Sequence, residues 1–552
     1  MNKIKKIFIM ILSVILISSA LPLNAVYANE LTAEAKANYA IEKALNKTEK
    51  LSTRLALGSM VSISTYSELT AALEAKMSNI YILQDINLEE PLQIDYNVSF
   101  LADDTKVNIF AASGKRHILI TASNVQIQFN NVILDGGYEN SVKSGGIEAD
   151  GVKNITLISP TIQNCYSARK TSAIYSCLGE NDEEGFFYIY NGTINNNYGT
   201  SIIGIFATDI IIYNSMIENN STPKTVGSGT LVTGGNELTD TTSIYNSVIR
   251  NNSSIYGAGI NIADSTLILN KNTIIENNTA KNYGGGIFAE YAIIENYGKI
   301  NNNTAGQYGG GIALKNSQFI MHDGEICYNT SSKNGGGISI VNNTDNLDNV
   351  IINDGIMQGN VSENGSAIGY DYLKNYQEIN QPRVIINNGT FCNNGYAFDD
   401  EGNLSVICRE GGVIYGSDVT VNGGTFEKNV CTVFGGAIYT MNLTMTDGMI
   451  QDNGFYEDED GNISVYTFRG GGLYIYENAD ITGGLIYSNQ AEDGGGITAF
   501  GTLSIAAPAY VRYNTAEKSG GGVYFFGQNS IKDVDFSRIK NNTAPNGAQY
   551  YI

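Results

Sequence analysis

Apolar and polar residues alternate along this chain in short runs. In SNIYILQDINLEEPLQIDYNVSFLADDTKVNIF and NVQIQFNNVILDGG the period is two, with polar breaks every six to nine positions, the pattern of half-buried strands between turns. In GGGIALKNSQFIMHDGEICYNTSSKN (309–334), Ile312 with Leu314, Phe319 with Met321, and Ile326 with Tyr328 mark three strands in one unit. An apolar residue, two more positions and an asparagine then recur down the chain. The step falls at Asn164, Asn197, Asn220, Asn252, Asn278, Asn303, Asn329, Asn360, Asn394, Asn429, Asn453, Asn489, Asn514 and Asn542. Spacings run from 23 to 36 residues. A fixed minimum with variable excess describes one coil with loops inserted into it, a solenoid and not a globule. The expected fold class is all-β, a right-handed parallel β-helix of three strands per coil, its coils about 4.8 Å apart. A leucine-rich repeat would need L-x-x-L-x-L, which these β-branched and tyrosine-rich segments lack, and a WD propeller is excluded because the chain has no Trp.

The recurring asparagine suits a tight corner. Its amide both donates and accepts, it tolerates the left-handed conformation, and stacked copies can bond to one another along the solenoid. The glycine runs at 284–286, 309–311, 335–337, 494–496 and 520–522 precede the next strand. They suit positive φ or close approach between coils. A phosphate-binding loop would lead into a helix, and these lead into strands.

Ahead of the repeats, TYSELTAALEAK (65–76) reads as a short helix with Ser67 as N-cap, an N-terminal cap on a β-helix that spans 65–552. Residues 29–64, rich in Ala, Leu, Glu and Lys, read as a helical spacer or leader. Residues 1–28 carry Lys3, Lys5 and Lys6, an apolar run from Ile7 to Leu23 and a small residue at Ala28. This is the pattern of a secretory signal peptide, so the expected location is secreted or cell-surface, with membrane contact only through an uncleaved signal segment.

Charge and cysteine narrow the function. The chain has 552 residues, 33 Lys+Arg against 55 Asp+Glu and a net charge of −22, which repels nucleic acid. Six cysteines, at 165, 177, 327, 392, 408 and 431, show no C-x-x-C spacing. Free buried thiols are therefore expected ahead of zinc or a disulfide framework.

Phe426 to Asn429 (F-x-x-N) followed by Gly435 to Ile438 (GGAI) resembles the repeats of chlamydial polymorphic outer membrane proteins. IIENNTAKNYGGGI (274–287) is similar to looser repeats in other surface β-helix proteins. The resemblance spans roughly residues 160–550 and implies a secreted or surface β-helix of the pectate-lyase-like superfamily, often an adhesin. No C-terminal autotransporter barrel is read, so outer-membrane placement is not carried over.

Because that superfamily also houses pectate lyases and polygalacturonases, enzymatic residues were sought. Asn343-Thr344-Asp345, Asp399-Asp400 and Arg538-Ile539-Lys540 match fragments of polygalacturonase motifs. They fall on coils too far apart to set an acid and a base across one bond. The only histidines are His117 and His322, neither flanked by glycines; His322 reads as a solvated turn residue.

Two insertions remain, FDDEGNLSVICREGG (398–412) and YEDEDGNISVYTFRGGG (456–472), one loop used twice and two coils apart. They should project side by side from one edge. Asp399, Asp400, Glu401, Asp458 and Asp460 are candidate calcium ligands, although their spacing matches no EF-hand. Arg409 and Arg469 are expected to pair with local acids. The leading expectation is a non-enzymatic surface protein that binds an extracellular glycan or protein through these loops. The alternatives are a calcium-dependent polysaccharide lyase or glycoside hydrolase, and a surface-layer spacer.

Overall fold

A computed structural model describes residues 59–137, 145–167, 170–179, 184–225, 227–235, 237–341, 348–371 and 383–552. The predicted signal peptide, the spacer up to residue 58 and Asn343-Thr344-Asp345 lie outside the described residues. Met60–Ile63, at the end of the predicted spacer, form strand β1 and pair in parallel with Asn79–Ile82.

The chain from Met60 on builds a parallel β-solenoid of about 16 turns. One coil shows the rest. Strand β2 (Lys299–Asn301) ends at Asn301, the corner begins with the left-handed Asn302, and β3 (Thr304–Ala305) leads into the glycine turn. Beyond it run β4 (Ile312–Lys315), β5 (Gln318–Met321) and β6 (Glu325–Cys327), which returns to β2 with Ile300 facing Ile326. These are the three predicted strands, with a fourth short one after the corner in some coils. Tyr328 is an exception, since it leaves the third strand at the corner and stands exposed.

Ile300, Ile312, Leu314, Phe319, Met321 and Ile326 are fully buried in one continuous core, as period-two alternation around a closed coil requires. Phe391 and Phe426, on neighbouring coils, stack there at 4.6 Å with nearly parallel rings. The turn at 309–311 shows why glycine is needed. Gly309 sits at φ +65, while a Cβ on Gly310 or Gly311 would lie 2.5 or 2.6 Å from a carbonyl oxygen of the next coil.

The first coil is closed by α1 (Tyr66–Glu74), which buries Leu69, Ala72 and Leu73 on the end of the core. Its N-cap is Thr65 and not Ser67. Thr65 Oγ1 accepts from the Glu68 amide, and the Glu68 carboxylate accepts from the amides of Ser64 and Thr65. This capping box satisfies donors that Ser67, already inside the helix, cannot reach. Thr65→Ala should cost about 1 kcal/mol, read as a lower thermal midpoint.

The asparagine ladder runs unbroken from Asn197 to Asn542, each side chain buried. Asn303 is typical. Its Oδ1 accepts the Asn278 backbone N–H and Nδ2 at 3.0 Å each, and its Nδ2 donates to Asn329 Oδ1 and, at 2.9 Å, to the Ile275 carbonyl. One side chain thus ties three coils. Gln549 Oε1 takes the last donors, from Asn542.

Asn164, counted as the first rung, is not in the ladder. It lies one residue early, at φ 54, and donates to Asp135. Cys165 holds the rung position, its backbone N–H donating to Asn197 Oδ1. The left-handed conformation likewise belongs to the residue before each rung: Asn196, Asn219, Asn251, Asn277 and Asn302, then Tyr328, Gly359, Asn393, Lys428 and Asp452. A second, exposed row at another corner links Asn191 to Asn214 and Asn353 through Asn387 to Asn422.

All six cysteines are free thiols, four of them buried. His117 is fully buried. Its Nδ1 accepts the Gly146 N–H, its Nε2 donates to the Asp135 carbonyl, and burial drives its pKa down to about 4, which leaves it neutral and structural. His322 is not fully solvated as expected, because its ring stacks on Tyr297 at 4.5 Å and its side chain is only 11% exposed.

Candidate functional site

The left-handed corner residues point outward where the rungs point inward, so they form a row on the surface. An asparagine there is inexpensive, whereas other side chains with a Cβ cost about 1–2 kcal/mol. From Tyr328 onward the row is Tyr328, Gly359, Asn393, Lys428 and Asp452, five corners spanning about 19 Å at the coil spacing. Gly359 leaves room for its neighbour: a Cβ there would fall 2.5 Å from the Tyr328 ring, which lies across it.

Two arms rise beside this row. The first is an antiparallel hairpin of β7 (Tyr396–Phe398) and β8 (Leu404–Val406); the second pairs β9 (Phe455–Glu457) with β10 (Ile463–Val465). Between them the Asn429 coil carries no hairpin. The arms meet through aromatic rings, Tyr456 lying 5.7 Å from Tyr396 and 5.8 Å from Phe398, edge to face. Tyr396 is tied to the row by its hydroxyl, which donates to Asn393 Oδ1 at 3.0 Å, and burial pushes that phenol up to about 12.

Row and arms enclose a groove of about 900 Å³. Tyr328, Tyr396, Phe398 and Tyr456 give it aromatic faces, and Lys428, Asp452 and Glu457 give it charge. Asp452 is half-buried. Burial holds its carboxyl above the usual carboxylate range, with Glu427 and Glu457 adding to the effect and Ser488 and Lys428 opposing it.

The five predicted calcium ligands lie at the exposed tips of the arms. Asp399 is committed to its own turn, accepting from the amides of Glu401 and Asn403 and from Asn403 Nδ2. Asp458 repeats the pattern with Asp460 and Asn462. These bonds hold both carboxyls below the usual range. They explain the shared spacing of aspartate and asparagine as turn chemistry. Asp400, Glu401 and Asp460 are exposed beside them. Among the described residues no group of three or more His, Cys, Asp and Glu is arranged to hold a metal ion.

Arg409 pairs with Glu363 at 3.3 Å and Arg469 with Asp493 at 3.8 Å, as expected, and neither lines the groove. Arg538 bonds Asp535 and Tyr510, five coils beyond the arm that carries Asp399. The described motif fragments therefore do not assemble. Sequence reasoning missed Tyr328, Lys428 and Asp452. The signal was present as the residue immediately before each rung.

No family model, curated protein or solved structure matches the chain. Fold and groove define its class: a parallel β-solenoid repeat protein with paired hairpin arms over one corner row.

Proposed function

We propose that this is an exported, adhesin-like binding protein that holds an extracellular glycan in the groove between its arms. The observation that carries this reading is the set of four aromatic rings, Tyr328, Tyr396, Phe398 and Tyr456, converging on one elongated concavity. Such rings offer flat apolar faces to the C–H faces of sugars and edge hydroxyls for hydrogen bonds. Elongation along the coil axis suits a chain better than a compact solute. Lys428 is the one cation among the lining residues, and a uronate polymer would meet the carboxylates of Asp452 and Glu457 there. That charge supports binding over lyase action on uronates, which needs neutralised carboxylates.

The test is calorimetric titration of neutral, amino and acidic oligosaccharides into the protein, with Tyr456→Ala beside it. Tyr456 contacts both rings of the other arm, so its loss should weaken glycan binding about 10- to 100-fold. The melting temperature should fall only slightly, because the side chain is partly buried and its ring contacts lie in the arms and not in the core. Equal affinity in the variant would place binding elsewhere. Assaying the same mixtures for new reducing or unsaturated ends separates binding from turnover.

A further inference from the structure

The charge of the groove selects among glycans. Its ionisable lining is Lys428 against Asp452, Glu457 and Asp458. Asp458 is occupied by its turn, which leaves Asp452 at the corner and Glu457 in β9 of the second arm. Among the described residues no lysine or arginine lies within ion-pair distance of either. The groups around Asp452 are Lys428, Glu427, Glu457 and the Ser488 hydroxyl, and Glu427 already accepts from Gln451. A half-buried carboxylate without an ion-pair partner, near a second carboxylate and in a groove lined by aromatic rings, is complementary to a cation that also carries an apolar surface.

We infer that the groove takes an amino-sugar polymer with free, protonated amines, the sugar rings lying on Tyr328, Tyr396 and Tyr456 and an amine held by Asp452 and Glu457. This rests on the glycan reading above and names its substrate class. Both carboxylates and the faces of the rings attract the ammonium group, and acetylation removes that attraction while keeping the sugar. The chain's net charge of −22 steers a polycation toward the protein.

The experiment titrates the full mature chain with glucosamine oligosaccharides, their N-acetylated counterparts and galacturonate oligomers in mildly acidic buffer at low salt. The amine form should bind about tenfold tighter than the acetylated form, the preference should fall with added salt, and the galacturonate should not bind. Asp452→Asn and Glu457→Gln should each lower affinity for the amine form severalfold and narrow its preference over the acetylated form. Asparagine suits the left-handed position of Asp452, as Asn393 shows in the same row, and an unchanged melting temperature checks that the variant folds. Affinity for the amine form should weaken as pH falls through the Asp452 carboxyl, which lies above the ordinary range, and again at high pH as the amines lose their protons. Equal affinity for amine and acetylated oligomers would overturn the charge selection and leave the glycan reading standing. Failure of all three oligomers to bind would overturn both. A preference that survives both substitutions would place the amine away from these carboxylates and overturn the assignment.

Discussion

Asn303→Ala is expected to remove about 3–5 kcal/mol of stability, because the loss falls on several buried groups together. The backbone N–H and Nδ2 of Asn278 lose their acceptor, and the Ile275 carbonyl and Asn329 Oδ1 each lose a donor. Asn278 Nδ2 keeps the Ile249 carbonyl and Asn329 Oδ1 keeps the Asn303 N–H, but the Asn278 backbone N–H, in a fully buried rung, is left without an acceptor at about 1–3 kcal/mol, and the other lost bonds add about 1 kcal/mol each. Because a solenoid couples mainly to its nearest neighbours, the effect should be local. Hydrogen exchange should quicken most in the coils of Asn278, Asn303 and Asn329, with a lower melting temperature overall. An unchanged melt and unchanged exchange would mean that the rung contributes nothing.

Phe426→Ala should cost a similar amount, about 3–5 kcal/mol. Phe426 is completely buried and its ring lies on Phe391 of the preceding coil. Strands on both neighbouring coils are held in register by parallel pairing, so the core cannot close the gap without shifting that register. Phe426→Leu, which keeps most of the volume, should recover much of the loss. Denaturant unfolding of both variants checks this, and a loss under about 1 kcal/mol for the alanine would show that the coil collapses around the gap.

The architecture was legible because one coil repeats its physics many times. Period-two alternation fixes which residues face the core, and the rung asparagine fixes where each coil turns. What the sequence could not order was the last residue of precision. Asn164 follows the apolar Ile162 by only two positions, whereas Asn197 follows Ile194 by three, so counting from the apolar residue puts Cys165 at the rung, and the Asn164 side chain turns to Asp135 instead. Ser67 was the expected cap, and the reciprocal bonds between Glu68 and Thr65 place the cap at Thr65 instead.

The candidate site was legible only in outline. That the two insertions stand side by side follows from their equal offsets, and their rings do touch. The carboxylates at the arm tips are the most conspicuous residues in the sequence, yet Asp399 and Asp458 shape their own turns. The groove is lined instead by residues that look unremarkable one at a time: Tyr328, Lys428 and Asp452, separated by whole coils and united only by the corner that precedes each rung.

The most direct test of the groove as the functional site is hydrogen exchange of the protein with and without a bound oligosaccharide. Binding as described predicts new protection concentrated at Asn393–Phe398, around Lys428 and at Asp452–Glu457, with the rest of the solenoid unchanged. Protection instead along the aromatic row of Tyr476, Phe500 and Phe526, whose ring centroids lie 4.9–5.1 Å apart, with none between the arms, would contradict it.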